Sequence, residues 1–465
     1  MANPSSILDY ERIDQLGRSP EPSAQELKDI LDKARLLKGL EDPEAASLLA
    51  VTTPEARQAI LEAAAFVKSE IYGARMVLFA PLYAGNKCSN DCLYCGFRRT
   101  NKDLTRITLN RHQIEEETRA LLAQGHKRLL LLTGETGAYG LDYMMDALDA
   151  IYSVREKGAN IRRVNVEVAP MSVDDFKVLK TGNIGTYTCF QETYDPTYYA
   201  KYHVAGPKAN YLNRLTVMDR AMEAGIDDVG LGVLFGLAPW RQEVISMLDH
   251  ARHLEKRWGC GPHTVSVPRL EPAHGAPISS AVPHPVNDDD FRLLVAVLRL
   301  TLPYTGIILS TRESVEMRNS LFRYGVSQVS AGSRTEPGGY QDAKESETFS
   351  HSQFSLADHR SLHQMVSDLV DGGFVPSFCT GCYRMGRTGA DFMDLAKPGL
   401  IKCFCLPNGL SSFAEYLEEY ADDSLKTRGY ATIDRLANEA ETPEIRQRII
   451  DGVAKVRTGG RDIYV

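Results

Sequence analysis

The apolar positions of this chain change their period near residue 75. Over residues 1–73 they recur at helical intervals, and start signals punctuate them: Ser23-Ala24-Gln25-Glu26 has capping-box spacing, and Asp42-Pro43 and Thr53-Pro54 each set a cap residue before a proline at the first helical position. The same period runs on from Leu61 to Tyr72. From Met76 onward, short apolar runs alternate with amphipathic stretches. The runs predict strands near 76–82, 127–133, 162–168, 184–190, 227–234, 263–268, 306–310 and 326–331; the stretches predict helices such as Arg111–Gln124, Leu141–Lys157, Tyr211–Ala224 and Phe291–Leu300. Eight strands in β-α alternation predict an α/β fold, a closed (βα)8 TIM-type barrel, with an open doubly wound sheet as the alternative.

After the eighth run, Gly332 to Ser352 is polar and turn-rich and reads as a linker. A helix is expected at about 356–371, and the tail to Val465 reads as helical and charged. The expected organisation is an N-terminal helical extension at 1–73, a barrel at 74–340 and a mostly helical C-terminal domain at 341–465. The extension either packs on the barrel or closes over its substrate.

Composition narrows the function classes. With 43% hydrophobic and 25% charged residues the chain has the make-up of a soluble globular protein, and its net charge of −8 implies no broad attraction to nucleic acid. The longest apolar runs, Leu129–Leu132 and Val229–Leu237, have strand length and are too short to span a membrane. The opening MANPSSILDYERIDQLG has no basic region followed by an apolar one, so a cytoplasmic location with reduced thiols is expected.

The chemistry centres on NKCSNDCLYCGFRRT, Asn86 to Thr100, where Cys88, Cys92 and Cys95 have C-x3-C-x2-C spacing. Three thiolates on one loop can hold three irons of a 4Fe-4S cubane and leave the fourth without a protein ligand. That iron can chelate S-adenosylmethionine (SAM), whose reductive cleavage releases a 5'-deoxyadenosyl radical. Structural zinc prefers four ligands in C-x2-C pairs, and no fourth Cys or His lies near this loop. Nine cysteines, an odd number, also argue against a disulfide framework. The loop directly follows the first predicted strand, where barrels keep their chemistry. The spacing, with Tyr94 before the third cysteine, resembles that of the radical SAM enzymes.

The other strand ends extend this picture. Thr133-Gly134-Glu135-Thr136 resembles the Gly-Gly-Glu motif that contacts the amino end of SAM in that superfamily, with Thr133 in place of one glycine. Glu167 suits the ribose hydroxyls of SAM or a salt bridge in the barrel mouth. The fourth strand ends in Gln191-Glu192-Thr193-Tyr194. The glycines of the fifth, Gly230, Gly232 and Gly236, lack the spacing of a dinucleotide fingerprint and instead would let adenine or ribose approach the backbone. In the sixth, alternation sets His263, Val265, Val267 and Arg269 on one face, with inward placement of the two polar groups expected. Ser310-Thr311-Arg312 forms either a clamp for an amino-acid carboxylate or a helix cap beside a surface arginine. Further on come Cys379 and Cys382, then Cys403 and Cys405. Alone these four would suit zinc; beside the first motif, a second three-thiolate iron-sulfur cluster is the better reading.

Taken together, CSNDCLYCGFRRTN, QETYD, SVPRLEP, STRES, CTGCYRMGRTGADFM and CLPN resemble the HydG family, tyrosine-cleaving maturases of FeFe-hydrogenase, from about residue 50 to the C-terminus. The barrel half is similar to ThiH, the tyrosine lyase of thiazole synthesis; the C-terminal cysteines separate the two. The resemblance implies a first cluster on Cys88, Cys92 and Cys95, with Tyr94, Gly134, Glu135, Glu167 and Gly232 around the cofactor. It implies L-tyrosine as substrate, held by Ser310 and Arg312 with Arg269 nearby. Cleavage of its Cα–Cβ bond would give p-cresol and dehydroglycine. A second 4Fe-4S cluster on Cys379, Cys382 and Cys405, with an additional labile iron on His263, would turn dehydroglycine into carbon monoxide and cyanide for an Fe(CO)(CN) unit. Cys405 is preferred to Cys403 because it leaves 22 residues between it and Cys382 and precedes Leu406-Pro407-Asn408. Implied partners are a low-potential donor such as ferredoxin or flavodoxin and the hydrogenase maturation proteins. A ThiH-like lyase and a noncatalytic iron-sulfur scaffold are the alternatives.

Overall fold

The computed structural model describes residues 7–341, 352–397 and 401–464. Eight parallel strands form the barrel: β1 Arg75–Gly85, β2 Arg128–Thr133, β3 Arg163–Glu167, β4 Tyr187–Thr188, β5 Val229–Gly232, β6 Thr264–Ser266, β7 Gly306–Leu309 and β8 Gln328–Ser330. They follow one another in sequence order, and β8 pairs with β1, which closes the barrel and excludes the open sheet. Each predicted run coincides with one strand, and β1 overruns its run of 76–82 at both ends. The outward side chains Leu78, Leu129, Val164, Val265, Ile307 and Val329 are buried in a common core with the surrounding helices, as expected for strands covered on the outside.

Helices at Tyr10–Gly17, Ala24–Ala34, Asp42–Leu49 and Pro54–Tyr72 make the N-terminal extension. Ser23 and Glu26 form both halves of the expected capping box. Asp42 departs from expectation: Glu41 is the cap residue, and Asp42 is buried, accepting from Arg12 and Arg252. Arg12 also reaches Asp249 on the barrel helix Trp240–Trp258, so the extension is packed on the barrel wall. Arg111–Gln124 forms as predicted. The helix from Leu141 ends at Ser153 rather than Lys157, and the Tyr211–Ala224 stretch is divided at Thr216, whose hydroxyl bonds back to the Leu212 carbonyl.

The most consequential addition is a short ninth strand, β9 Val375–Ser377, which pairs in parallel with Arg75–Val77 at the beginning of β1. Three residues including a proline give no strand signal of their own. The stretch taken as a linker is partly built in: buried Tyr340 donates to the Pro81 carbonyl at 2.7 Å, and the N–H groups of Tyr340 and Gln341 bond Glu117. Residues 342–351 of that stretch lie outside the described residues. The helix expected from 356 begins only at Leu362, capped by Ser361, because the preceding turn carries buried Asp358 to Arg318 and Arg360. Helices Lys402–Tyr420, Asp423–Asn438 and Pro443–Arg457 complete the chain.

Candidate functional site

The loop after β1 is held from both sides. The Arg106 guanidinium donates to the carbonyls of Asn86, Phe97, Arg98 and Asn101, tying the entry of the loop to its exit. From β2, the Glu135 carbonyl accepts the Ser89 N–H at 2.8 Å, and its carboxylate accepts from Asn90 at 2.8 Å and pairs with Arg214 at 2.7 Å. Burial opposes ionisation of Glu135, but Arg214 and Lys208 overcome it and hold the carboxyl at about 2. Gly134 fits beneath the loop: a Cβ there would lie 2.2 Å from the Lys87 carbonyl oxygen. Gly134 and Glu135 thus brace the cluster loop, and neither lines the cavity in the barrel mouth where a SAM contact was expected. Asn90 and Arg214 were not anticipated from the sequence.

Cys88, Cys92 and Cys95 are free thiols. Burial raises all three, Cys95 to about 11. Such thiols ionise only when a metal supplies compensating charge, which fits a resident iron-sulfur cluster. Among the described residues no three His, Cys, Asp or Glu side chains converge on a single-ion position; a cubane takes its thiolates on separate irons.

A cavity of about 120 Å³ opens beside this loop, lined by Tyr83, Tyr94, Cys95, Glu167, Ser310 and Arg312 among others. Tyr94 is buried, with its hydroxyl 2.8 Å from His203 Nε2. Burial and then the neighbouring Glu192 push Glu167 up to about 7, while Glu192 itself pairs with Lys208 at 2.6 Å. Ser314, not Ser310 or Thr311, caps the following helix, leaving Ser310 and Arg312 to face the cavity. The Arg312 guanidinium lies 3.4 Å from the Phe354 ring centre. Gln353 bridges the site, accepting from the Tyr83 hydroxyl at 2.7 Å and standing 3.8 Å from Cys95 Sγ. It carries no local signal, since only the return of the chain brings it there.

Two expected contacts differ. Arg269 is committed to Glu313 and Asp288 and does not line the cavity. Gly232 also stays out: the Phe190 ring fills the space beside it, 2.6 Å from where a Cβ would be. The alternation on β6 runs opposite to expectation. Ser266 and Pro268 face the cavity, whereas Val265 and Val267 face the helices.

His263, just before β6, belongs to the other end of the barrel. Because β9 pairs with the start of β1, it delivers Cys379 and Cys382 beneath the strands. There they share a cavity of about 60 Å³ with Cys405, Arg75, His263 and Tyr383. Cys403 does not line it. The hydrogen bond from Cys382, aided by Arg75, lowers Cys405 and favours its thiolate. Arg128 donates to the Cys379 carbonyl at 2.8 Å. Arg75 Nε is buried without a hydrogen-bond partner among the described residues. Burial lowers His263 and favours the neutral imidazole, whose Nε2 lies 3.1 Å from the Tyr383 hydroxyl. Three thiols, an unpartnered guanidinium donor and a neutral imidazole have the chemistry of an iron-sulfur cluster's surroundings.

The Radical SAM superfamily matches residues 82–250, and the Biotin and Thiamin Synthesis associated domain matches 266–375. The 2-iminoacetate synthase of Salmonella typhimurium is 34% identical over 335 residues, covering 71% of this chain and 85% of that protein. A crystal structure of HydG, a maturase of the FeFe-hydrogenase, matches with TM-score 0.95 and 43% identity over 99% of this chain and 100% of that one. The chain belongs to the HydG/ThiH family of radical SAM enzymes. Within this family, HydG from Carboxydothermus hydrogenoformans is 40% identical, with TM-score 0.84, over 98% of this chain and 100% of that one. The HydG likeness therefore takes in the lower cavity and its cysteines. Among the described residues no helix is long and apolar enough to cross a membrane.

Proposed function

We propose that this enzyme cleaves the Cα–Cβ bond of L-tyrosine to p-cresol and dehydroglycine at the barrel mouth. Dehydroglycine is then converted to carbon monoxide and cyanide at the lower cavity, for an Fe(CO)(CN) unit used in hydrogenase maturation. The observation that carries this reading is the meeting of Cys379, Cys382, Cys405, Arg75 and His263 at the far end of the same barrel. A lyase for thiazole synthesis has no use for that set. The name of the curated relative supports the first half, because 2-iminoacetate is dehydroglycine by another name.

Cys88, Cys92 and Cys95 would hold a first cluster, which would supply the electron for SAM cleavage, and Cys379, Cys382 and Cys405 would hold a second, which would supply iron chemistry for carbon ligands. The chain's own residues do the rest. Ser310 and the paired N–H groups of Arg312 bind the tyrosine carboxylate, and Phe354 beneath the guanidinium fixes its plane. Glu167, balanced near neutrality, hydrogen-bonds the SAM ribose. Tyr94 lines the cavity that would take the cofactor, and the bonded pair Lys208–Glu192 keeps compensated charge at the wall. The closed barrel excludes water from the radical and from the hydrolysable intermediate. His263, which lines the same lower cavity, would hold the additional iron. The catalytic unit is the barrel at 74–340, the auxiliary-cluster unit follows at 341–465, and a low-potential carrier such as ferredoxin or flavodoxin delivers electrons in the cytoplasm.

The test is an anaerobic assay with iron, sulfide, SAM, tyrosine and reductant, measuring p-cresol, cyanide and carbon monoxide. Cys405→Ser is expected to keep p-cresol, lose carbon monoxide and lose one cluster's iron, whereas Cys403→Ser keeps all products. No p-cresol from the unaltered enzyme refutes the lyase reading, and undiminished carbon monoxide from Cys405→Ser refutes the division between two sites.

A further inference from the structure

Asp228 is buried behind His263. The two residues precede neighbouring strands β5 and β6, and the His263 N–H bonds the Val229 carbonyl at 2.9 Å, so their side chains stand together at the lower rim. The Asp228 side chain is 3% exposed, and neither carboxylate oxygen has a hydrogen-bond partner among the described residues. Its near neighbours are His263 Nδ1 at 3.9 Å and Arg163 Nη2 at 3.8 Å, both too long for a hydrogen bond. Arg163 is turned to Tyr383, with its guanidinium carbon 3.4 Å from that ring centre. A buried carboxylate with no bonded partner is costly and calls for an explanation.

The imidazole supplies one. Nδ1 faces Asp228, while Nε2 faces the Tyr383 hydroxyl and the cavity of Cys379, Cys382 and Cys405. A carboxylate behind a ligating histidine accepts the far N–H, fixes the tautomer and raises the basicity of the ligating nitrogen. We propose that Asp228 is a positioning residue for His263: by accepting a hydrogen bond from Nδ1–H it keeps the proton on that nitrogen and directs the Nε2 lone pair into the lower cavity as the ligand for the additional iron. Tyr383, whose hydroxyl donates to the same Nε2 meanwhile, holds that lone pair until iron replaces it. The inference rests on the reading that His263 holds this iron.

The experiment reconstitutes the full-length enzyme, Asp228→Asn, Asp228→Ala and His263→Ala anaerobically with iron and sulfide. Each is then titrated with ferrous iron, following bound iron per chain and the electron paramagnetic resonance signals of the two cubanes. Asp228→Asn keeps an acceptor for Nδ1 without its charge and is expected to bind the additional iron about 10-fold more weakly; Asp228→Ala, with no acceptor, about 100-fold more weakly. His263→Ala is expected to lose it, with both cubane signals retained in all variants. Unchanged affinity in Asp228→Ala overturns the proposal, and if that variant loads no cubanes, unchanged affinity in Asp228→Asn does so. Parallel loss of cubane and additional iron in Asp228→Asn marks a merely structural role and overturns it as well. Absence of an additional iron in the unaltered enzyme sinks the reading of His263, and the proposal with it, and is recognised by arising without any substitution.

Discussion

Gly134→Ala isolates the role assigned to the β2 end. Gly134 is not in a left-handed conformation, so alanine brings no backbone strain of its own and the effect is steric. The new Cβ would meet the Lys87 carbonyl oxygen at 2.2 Å, its carbon at 2.9 Å and Cys88 Cβ at 3.3 Å. Ordinary contact begins near 3.4 Å, so the loop must retreat by 3.4 − 2.2 = 1.2 Å. The atoms in the way are backbone, tied in by the Arg106 and Glu135 bonds, and cannot swing aside as a side chain would. Overpacking of this kind costs about 1–3 kcal/mol. A displacement near 1 Å at a reacting centre lowers rate by about 100-fold. The assay measures iron per chain after reconstitution and the rate of 5'-deoxyadenosine release from SAM. Gly137→Ala is the control, because a Cβ at Gly137 meets nothing within 4 Å. Native iron content and SAM cleavage in Gly134→Ala, indistinguishable from the control, would refute the bracing argument.

Arg312→Lys removes the paired donors and keeps the charge. The KM for tyrosine is expected to rise by about 10- to 100-fold with a smaller effect on kcat, read from p-cresol formation, and an unchanged KM would remove Arg312 from the substrate site. Glu167 gives a pH dependence. Its folded value, about 7, lies above the ordinary 4.5, so the stability it contributes is fully present below pH 4.5 and is lost as pH rises through 7. Melting temperatures of the metal-free protein between about pH 5 and pH 8 should therefore fall less steeply in Glu167→Gln than in the unaltered chain; equal slopes would show that Glu167 does not titrate there.

Much of the fold was legible because strand and helix periods are local properties. The eight apolar runs each coincide with a strand, and the Arg111–Gln124 helix appears with the expected ends. The errors lie where partners distant in sequence outweigh local pattern. Asp42 looks like a cap, but Arg12 and Arg252 bury it. Arg269 looks inward by alternation, but Glu313 and Asp288 hold it elsewhere. Gln353, inconspicuous in sequence, reaches Cys95 because the chain returns across the barrel mouth.

The sequence by itself determined the first metal loop, since Cys88, Cys92 and Cys95 need only a tight spacing to share a cluster, and its position after β1 follows from strand order. It also determined that Cys379 and Cys382 stand together in a C-x2-C pair. Tertiary structure decided which end of the barrel receives them. β9 carries no pattern of its own and exists because the lower edge of β1 offers open backbone groups, and that pairing brings the cysteines to Arg75 and His263. Strand pairing between distant segments depends on the edge available in the folded chain, and no period within either segment records it.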